Sequence, residues 1–178
     1  MALRSNTRFR IDAYSAHGDA EDKSVVTLIQ GALRSITGWI GKSNPRGYAI
    51  RTSTATIGIR GTDHETTVIL LPEAGQVAVA APGTYDKVNT GSTVLSTERG
   101  SVVVGPKQAA FAEHEGRQGP RTLDVVPSFY QPTRHEGRIE ERKETLAREM
   151  EAHRQARQKE VEEKQKRRPT PRRRPVAK

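Results

Sequence analysis

The sequence predicts a mainly β protein that ends in one exposed, charged α-helix and a disordered basic tail. Apolar and polar residues alternate with a period of two in short segments over residues 5–115, at intervals of roughly 8–12 residues. Gly, Pro and Asn stand between these segments, and the connections are too short to hold crossover helices. This pattern is typical of short antiparallel strands in a sandwich, a barrel or a roll. Beyond residue 137, Glu, Arg, Lys, Gln and Ala dominate, which favours a helix.

The strands are predicted from alternation and from the turn residues that bound them. The first begins at Thr7 and places Phe9, Ile11 and Ala13 on one face. The second ends at Gly31, where a turn is expected. The predicted strands are 7–13, 24–30, 33–37, 48–52, 54–60, 65–71, 77–80, 92–97, 101–104 and 109–112. The predicted turns between them include 44–47, 72–75, 82–83, 89–91, 98–100 and 105–106.

The β domain is expected to cover residues 4–115 and to be followed by a linker over residues 116–136. Within that linker, residues 125–132 form an apolar segment bounded by prolines. Because Phe129 and Tyr130 are among the few aromatic residues of the chain, we expect this segment to lie back on the β domain.

Residues 137–168 are predicted to form one solvent-exposed helix. Glu precedes a basic residue at i,i+4 in several places, and each such pair stabilises a helix by only a few tenths of a kcal/mol. A sustained apolar a/d repeat is missing, so a coiled-coil seam is not expected. Residues 169–178 are rich in Pro and Arg and are predicted to be disordered.

Composition excludes several classes of protein. The chain has 178 residues, 33% hydrophobic residues and no cysteine, which removes disulfide frameworks, thiolate metal sites and cysteine nucleophiles. The longest run of large aliphatic residues, Val68–Leu71, is far too short for a membrane span. The formal charge of +9 is uneven, because residues 164–178 carry eight basic residues and no acidic one.

Motifs for catalysis or metal binding are weak. Gly41-Lys42-Ser43 lacks the earlier glycine of a phosphate-binding loop. Asp63 and Glu65 are expected to point away from His64 on a strand, so we interpret them as an exposed, polar strand start rather than a metal site. The sequence predicts no catalytic residue, no metal and no cofactor, and hence no enzyme. A Ser/His/Asp group assembled from distant parts of the chain stays open as an alternative, because such triads are recognised by geometry and not by sequence order.

One segment resembles the signature of the FecR domain family. Its alternating strand closes with Arg-Gly-Thr, and later runs at Pro82–Tyr85, Gly91–Val94, Gly100–Val104 and Gln108–Phe111 are similar to the family's later strands. The signature residues are Thr52, Ala55, Thr56, Ile57, Gly58, Ile59, Arg60, Gly61, Thr62 and Asp63. The resemblance implies a β-solenoid or β-roll-like domain that is extracytoplasmic and non-enzymatic, with a structural role for these residues.

The resemblance further implies a sensory or regulatory module that acts through an unidentified protein partner in the cell envelope. We expect a monomer with no membrane span, located in the periplasm or elsewhere outside the cytoplasm. The chain starts without a signal peptide, so we expect its export signal to lie upstream of Met1.

The alternative is a cytoplasmic protein that binds nucleic acid or another anionic surface through its basic tail. The residues that would make this contact are Lys164, Lys166, Arg167, Arg168, Arg172, Arg173 and Arg174.

Overall fold

The computed structural model describes residues 1–16, 21–36, 44–75 and 77–130 continuously. Beyond them it describes residues 138, 141–142, 144–145, 148–149, 151–152, 155–157, 159–160 and 163. The strands of this described chain are β1 (Ala2–Leu3), β2 (Arg8–Ser15), β3 (Lys23–Ile36), β4 (Tyr48–Arg51), β5 (Thr56–Ile69), β6 (Gly83–Thr97), β7 (Gly100–Val104), β8 (Ala109–Glu113) and β9 (Arg121–Leu123). A 3-10 helix, Pro45–Gly47, precedes β4.

The strands form a single sheet in the order β1-β3-β4-β5-β6-β8-β9, with β2 added beside β3 and β7 beside β6. The pair β3–β4 is parallel and the other pairs are antiparallel. Strand β3 also pairs with β5, so the sheet folds back on itself, and five strands close into a barrel.

Glycines in the middle of the long strands allow this closure. Gly31 in β3, Gly61 in β5 and Gly91 in β6 all have positive φ angles, of 86°, 59° and 81°. A Cβ atom at Gly91 would overlap the carbonyl oxygen of Gly61, so the two strands approach closely where each bends. At each bend the strand continues with a new neighbour: β3 pairs with β2 before Gly31 and with β5 after it.

The barrel encloses the main hydrophobic core. Alternate residues of β3, β4, β5 and β6 point inward, among them Leu28, Ile50, Ile57 and Leu95, which are all fully buried. A second, aromatic cluster combines Tyr85 with Phe111 and Tyr130 on the outer side of the sheet.

The solenoid or roll-like fold implied by the FecR resemblance is wrong. A solenoid needs short strands stacked in successive coils, whereas β3, β5 and β6 have 14, 14 and 15 residues and bend around a closed barrel. The physical cause is that glycine with a positive φ bends a strand without ending its hydrogen bonding, so the turns expected at Gly31, Gly61 and Gly91 are bends inside strands.

The prediction of one long charged helix over residues 137–168 is wrong as well. The described residues between 138 and 163 are all helical but are not consecutive, and the helix that has defined bounds in the described chain is the short Pro45–Gly47. A helix with no packed face depends on weak exposed pairs, and the ion pair Glu144–Arg148 is 4.0 Å long. The tail over residues 169–178 lies outside the described residues.

Two compact units divide the chain, Met1–Ile139 and Glu140–Lys178. The first contains the whole sheet. The described part of the chain contains no helix that is long and apolar enough to cross a membrane.

Candidate functional site

The signature residues occupy two different environments. Thr52 precedes a turn that ends at Ala55, and the remaining residues lie in β5. Ile57 and Ile59 point into the barrel core, and Thr62 and Asp63 are buried as well. The basic tail residues Lys164 to Arg174 lie outside the described residues.

The turn at residues 52–55 is held by threonine hydroxyl groups. The Thr52 Oγ1 atom accepts hydrogen bonds from the backbone N–H groups of Thr54 and Ala55, at 3.2 and 2.9 Å. The hydroxyl of the fully buried Thr84, near the start of β6, lies 2.7 Å from that of Thr52 and 2.6 Å from that of Thr54. The first residues of the signature are therefore hydrogen-bonded to β6, which lies about 30 positions further along the chain.

Above this turn lies an open groove of about 690 Å³. Its walls are three segments, Thr52–Thr56, Ser96–Arg99 and His114–Gly116. Six of the lining side chains are Ser or Thr hydroxyls, and Glu98, Arg99, His114 and Glu115 supply charged or titratable groups. The Arg99 Nε atom donates to the Gly116 carbonyl at 2.5 Å, which joins two walls. The hydroxyls of Thr52, Thr54 and Thr97 are engaged in hydrogen bonds within the protein and fix the frame of the groove. Ser53, Thr56 and Ser96 add further uncharged hydroxyl groups to its lining.

A hydrogen-bonded network of polar side chains lies inside the barrel. His64 Nδ1 is 2.8 Å from Asp86 Oδ1, and the hydroxyls of Thr66 and Thr93 donate to the same carboxylate at 2.9 and 2.6 Å. Because a carboxylate only accepts hydrogen bonds, the proton of this contact belongs to His64 Nδ1. Among the described side chains, His64 Nε2 is a buried polar atom that has no hydrogen-bonding partner.

Ser35 lies opposite His64 in the β3–β5 pairing, so the fold brings Ser35, His64 and Asp86 to one region. Their arrangement differs from that of a hydrolytic triad, because the Ser35 hydroxyl bonds to the Tyr48 hydroxyl and His64 Nε2 is unpartnered. All three side chains are buried, at 2% exposure or less. Burial, reinforced by the negative charge of Asp86, raises the pKa of Tyr48 to about 12.

Asp63 and Glu65 are buried on the opposite face of β5 from His64, and both are paired. The guanidinium of Arg34 binds the Asp63 carboxylate through two contacts of 2.8 and 2.7 Å. Arg4 and Lys87 approach Glu65 at 2.6 and 3.4 Å. The interpretation of residues 63–65 as an exposed strand start is therefore wrong, because all three residues are buried. His64 contacts Asp86 on one face of β5, and the cations of Arg4, Arg34 and Lys87 pack on the carboxylates of the other face. Within the described chain, no three potential ligand residues are grouped to hold a metal ion.

The described part of the predicted apolar segment, residues 125–130, packs on the outer face of the sheet. Phe129 makes an edge contact with Tyr85 at 5.1 Å between ring centroids. The Tyr130 hydroxyl donates to the Glu65 carbonyl at 3.3 Å, and burial raises the pKa of Tyr130 well above its ordinary value. Aromatic side chains thus anchor the end of the β domain.

Sequence reasoning missed Asp86 and Thr84, the two residues of β6 that organise the buried network and the turn. Residues 83–91 contain turn-forming Gly and Asn, and this signal hid the alternation of Thr84, Asp86 and Val88, which all point inward. That alternation is the sequence signal that could have identified them.

Comparisons with known proteins give little for this chain. No family model matches it, and no curated protein matches it. Two crystal structures of a "putative anti-sigma factor" from Parabacteroides distasonis ATCC 8503 are similar to it at 12% identity, with TM-scores of 0.46 and 0.42. The alignments cover 70% and 71% of this chain but 50% and 55% of those chains, so this chain spans about half their length. The FecR resemblance therefore rests on the signature residues and on the later runs at Pro82–Tyr85, Gly91–Val94, Gly100–Val104 and Gln108–Phe111.

Proposed function

We propose that this chain is a non-enzymatic binding module of the FecR type, which acts outside the cytoplasm and regulates through contacts with a protein of the cell envelope. In this proposal the groove above residues 52–56 is the surface that the partner contacts. The observation that carries it is the location of the signature: its opening residues form one wall of an open, hydroxyl-lined groove.

The distribution of reactive groups supports binding rather than catalysis. His64 and Asp86, the buried acid–base pair of the barrel, have no exposed surface and are engaged in a hydrogen-bonded core. General acid–base catalysis requires such groups within hydrogen-bonding reach of a substrate. The groove presents hydroxyl groups, which hydrogen-bond without needing a shifted pKa, beside the side chains of Glu98, Arg99, His114 and Glu115.

Site-specific photo-crosslinking tests the proposal in the cells that make the protein. A benzophenone amino acid replaces Ser53 or Glu98 at the groove, and Arg8 on β2 as an exposed control. We expect one discrete crosslinked protein from both groove positions and none from Arg8. Fractionation of the same cells should place the crosslinked product outside the cytoplasm.

A variant that fills the groove makes this test specific. Ser96→Trp places an indole in the groove wall, and we expect the crosslink to disappear while the circular dichroism spectrum stays unchanged. Crosslinking that is equal at Arg8, that survives Ser96→Trp, or that occurs only in the cytoplasmic fraction contradicts the proposal.

The charge of the tail favours a second candidate function, binding of a polyanion. Eight basic residues without an acidic one would release counterions from nucleic acid, so that affinity would fall steeply with salt. The test compares binding of a labelled duplex DNA by the full chain and by a chain ending at Glu163, across a salt series. Salt-steep binding that is lost with the tail supports this function, and equal binding by both chains contradicts it.

A further inference from the structure

The connection between β5 and β6, residues 70–82, contains a segment that is open to solvent and held by few bonds. Val77 and Val79 are 95% and 84% exposed, the two highest values among the exposed large apolar side chains of the described chain. Within that chain, residues 77–79 belong to no strand and make no backbone hydrogen bond. Exposed segments with small side chains and few backbone hydrogen bonds are where proteases cut folded proteins. This connection is therefore accessible to an endopeptidase.

The residue types of the connection select the class of endopeptidase that can cut it. An enzyme of the elastase type has a small S1 pocket, the pocket that holds the side chain before the cut bond, and this pocket accepts a short aliphatic side chain. Residues 77–81 read Val-Ala-Val-Ala-Ala, so they offer only such side chains. A trypsin-type enzyme needs Lys or Arg, and none occurs between Arg60 and Lys87. The connection is thus a substrate for the first class and not for the second.

The bond between Val77 and Ala78 is the one that a protease reaches most easily. The backbone bends at residues 79, 80 and 82. Beyond the valines it is also fixed, because Ala80 packs against the aromatic cluster and the Ala81 carbonyl accepts a hydrogen bond of 2.9 Å from a tyrosine hydroxyl. A protease draws the residues on both sides of the cut bond into its cleft, so these contacts hinder a cut later in the segment.

We propose that this connection is a site of limited proteolysis by an endopeptidase with a small S1 pocket, which hydrolyses the bond between Val77 and Ala78. Water is the only co-reactant: the C–N bond breaks, Val77 gains a carboxylate and Ala78 gains an ammonium group. The two fragments stay together after the cut, because β5 and β6 pair through twelve residue pairs, from Thr56 with Ser96 to Ile69 with Gly83. The product is a folded domain made of two chains.

The cut divides the walls of the groove between these two chains. The wall at residues 52–56 belongs to fragment 1–77, whereas the walls at residues 96–99 and 114–116 belong to fragment 78–178. The groove then depends on a non-covalent association that dilution can reverse, while in the uncut chain it is held within one molecule. The inference does not depend on the proposed function, because it concerns the frame of the groove and not what the groove binds.

Limited digestion of the full chain tests the site, with intact-mass spectrometry to locate each cut over time. We expect the first cut by pancreatic elastase within residues 1–130 to fall between Val77 and Ala78, and trypsin to leave the connection intact. Val77→Asp combined with Val79→Asp should slow cutting of the connection by about tenfold or more, because a small apolar pocket rejects a carboxylate. Val103→Asp is the matched control, since Val103 is 65% exposed but lies in the paired strand β7, and it should leave the rate unchanged.

The state of the cut protein gives a second measurement. The two fragments should elute together in size-exclusion chromatography and keep the circular dichroism spectrum of the parent protein. The unfolding midpoint of the cut protein should rise with protein concentration, because its unfolding separates two chains, whereas that of the uncut protein should not. The inference is overturned if elastase cuts first elsewhere within residues 1–130, if the double Asp variant is cut as fast as the parent, or if the fragments separate under native conditions.

Discussion

The His64 imidazole and the Asp86 carboxylate meet inside the barrel, with 2.8 Å between Nδ1 and Oδ1. The two residues belong to β5 and β6, which also contribute the aliphatic side chains of Ile57, Val88 and Leu95 to the core. Because Thr66 and Thr93 donate to the same carboxylate, Asp86 satisfies three donors at once. The network therefore depends on this single side chain.

Asp86→Ala should lower the free energy of unfolding by about 3 kcal/mol or more, because it leaves three buried donors without an acceptor. Urea denaturation followed by circular dichroism measures the change. Asp124→Ala, at an exposed aspartate, is the control and should leave the unfolding midpoint almost unchanged. A loss of less than about 1 kcal/mol for Asp86→Ala would mean that the network contributes little to stability.

Arg34 and Asp63 form a buried ion pair. Removing one member should lower the free energy of unfolding more than removing both. Arg34→Met leaves the Asp63 carboxylate buried without its guanidinium and should destabilise the protein by about 3–5 kcal/mol. Adding Asp63→Leu removes the buried carboxylate that has lost its guanidinium, so the double variant should regain a large part of this loss. Thermal and urea unfolding of the three proteins check this, and a double variant less stable than the single one would refute the argument.

Gly91 and Gly58 offer a matched pair in β6 and β5. At Gly91 the φ angle is +81° and a Cβ atom would overlap the Gly61 backbone, so Gly91→Ala should cost roughly 2 kcal/mol or more. At Gly58 there is open space around the Cβ position, and Gly58→Ala should be neutral or slightly stabilising. The urea unfolding midpoints of the two variants measure the difference. Similar midpoints would show that the barrel does not require the bend at Gly91.

Stability should fall at alkaline pH through Tyr48. Its pKa is raised from 10.0 to about 12 in the folded protein, so between these values the unfolded state loses a proton that the folded state keeps. The free energy of unfolding then decreases by about 1.4 kcal/mol per pH unit for this group. The stabilisation is complete below pH 10 and is lost as the pH rises towards 12.

Urea unfolding of the parent protein and Tyr48→Phe between pH 9 and pH 11.5 measures this dependence. The variant should show a shallower decline above pH 10, although it loses the hydrogen bond to Ser35 and should be less stable at pH 7. Equal declines in the two proteins would show that Tyr48 ionises as easily in the folded state as in the unfolded one.

The local sequence pattern correctly predicted the strands that end at turns. It failed for the long strands, which continue through a glycine that the pattern marks as a turn. The predicted segments 48–52, 101–104 and 109–112 correspond closely to β4, β7 and β8. The predicted strands 54–60 and 65–71 are one strand, β5, because Gly61 bends the backbone and pairing with β6 resumes at Asp63 after a shift in register. Val77–Ala80 alternates like a strand but has no neighbour to pair with in the described chain, and pairing is a property of the whole fold.

The site was predictable only in part for the same reason. The signature pointed to residues 52–63, and their alternation correctly separates the inward Ile57 and Ile59 from their neighbours. The groove requires three segments that are up to 64 positions apart, and the buried network requires Asp86 to lie opposite Thr66. Such juxtapositions depend on strand register, which the local pattern does not contain.

The mainly β character of this chain follows from its local sequence, because alternation and turn chemistry are local properties. The location of most of its net charge in residues 164–178 is likewise read directly from the sequence. The tertiary structure decided that the long strands bend and close into a barrel. It also decided that Asp63, His64 and Glu65 are buried rather than exposed. Burial depends on which side chains pack on each face of a strand, and that is settled only when β3, β5 and β6 pair across the chain.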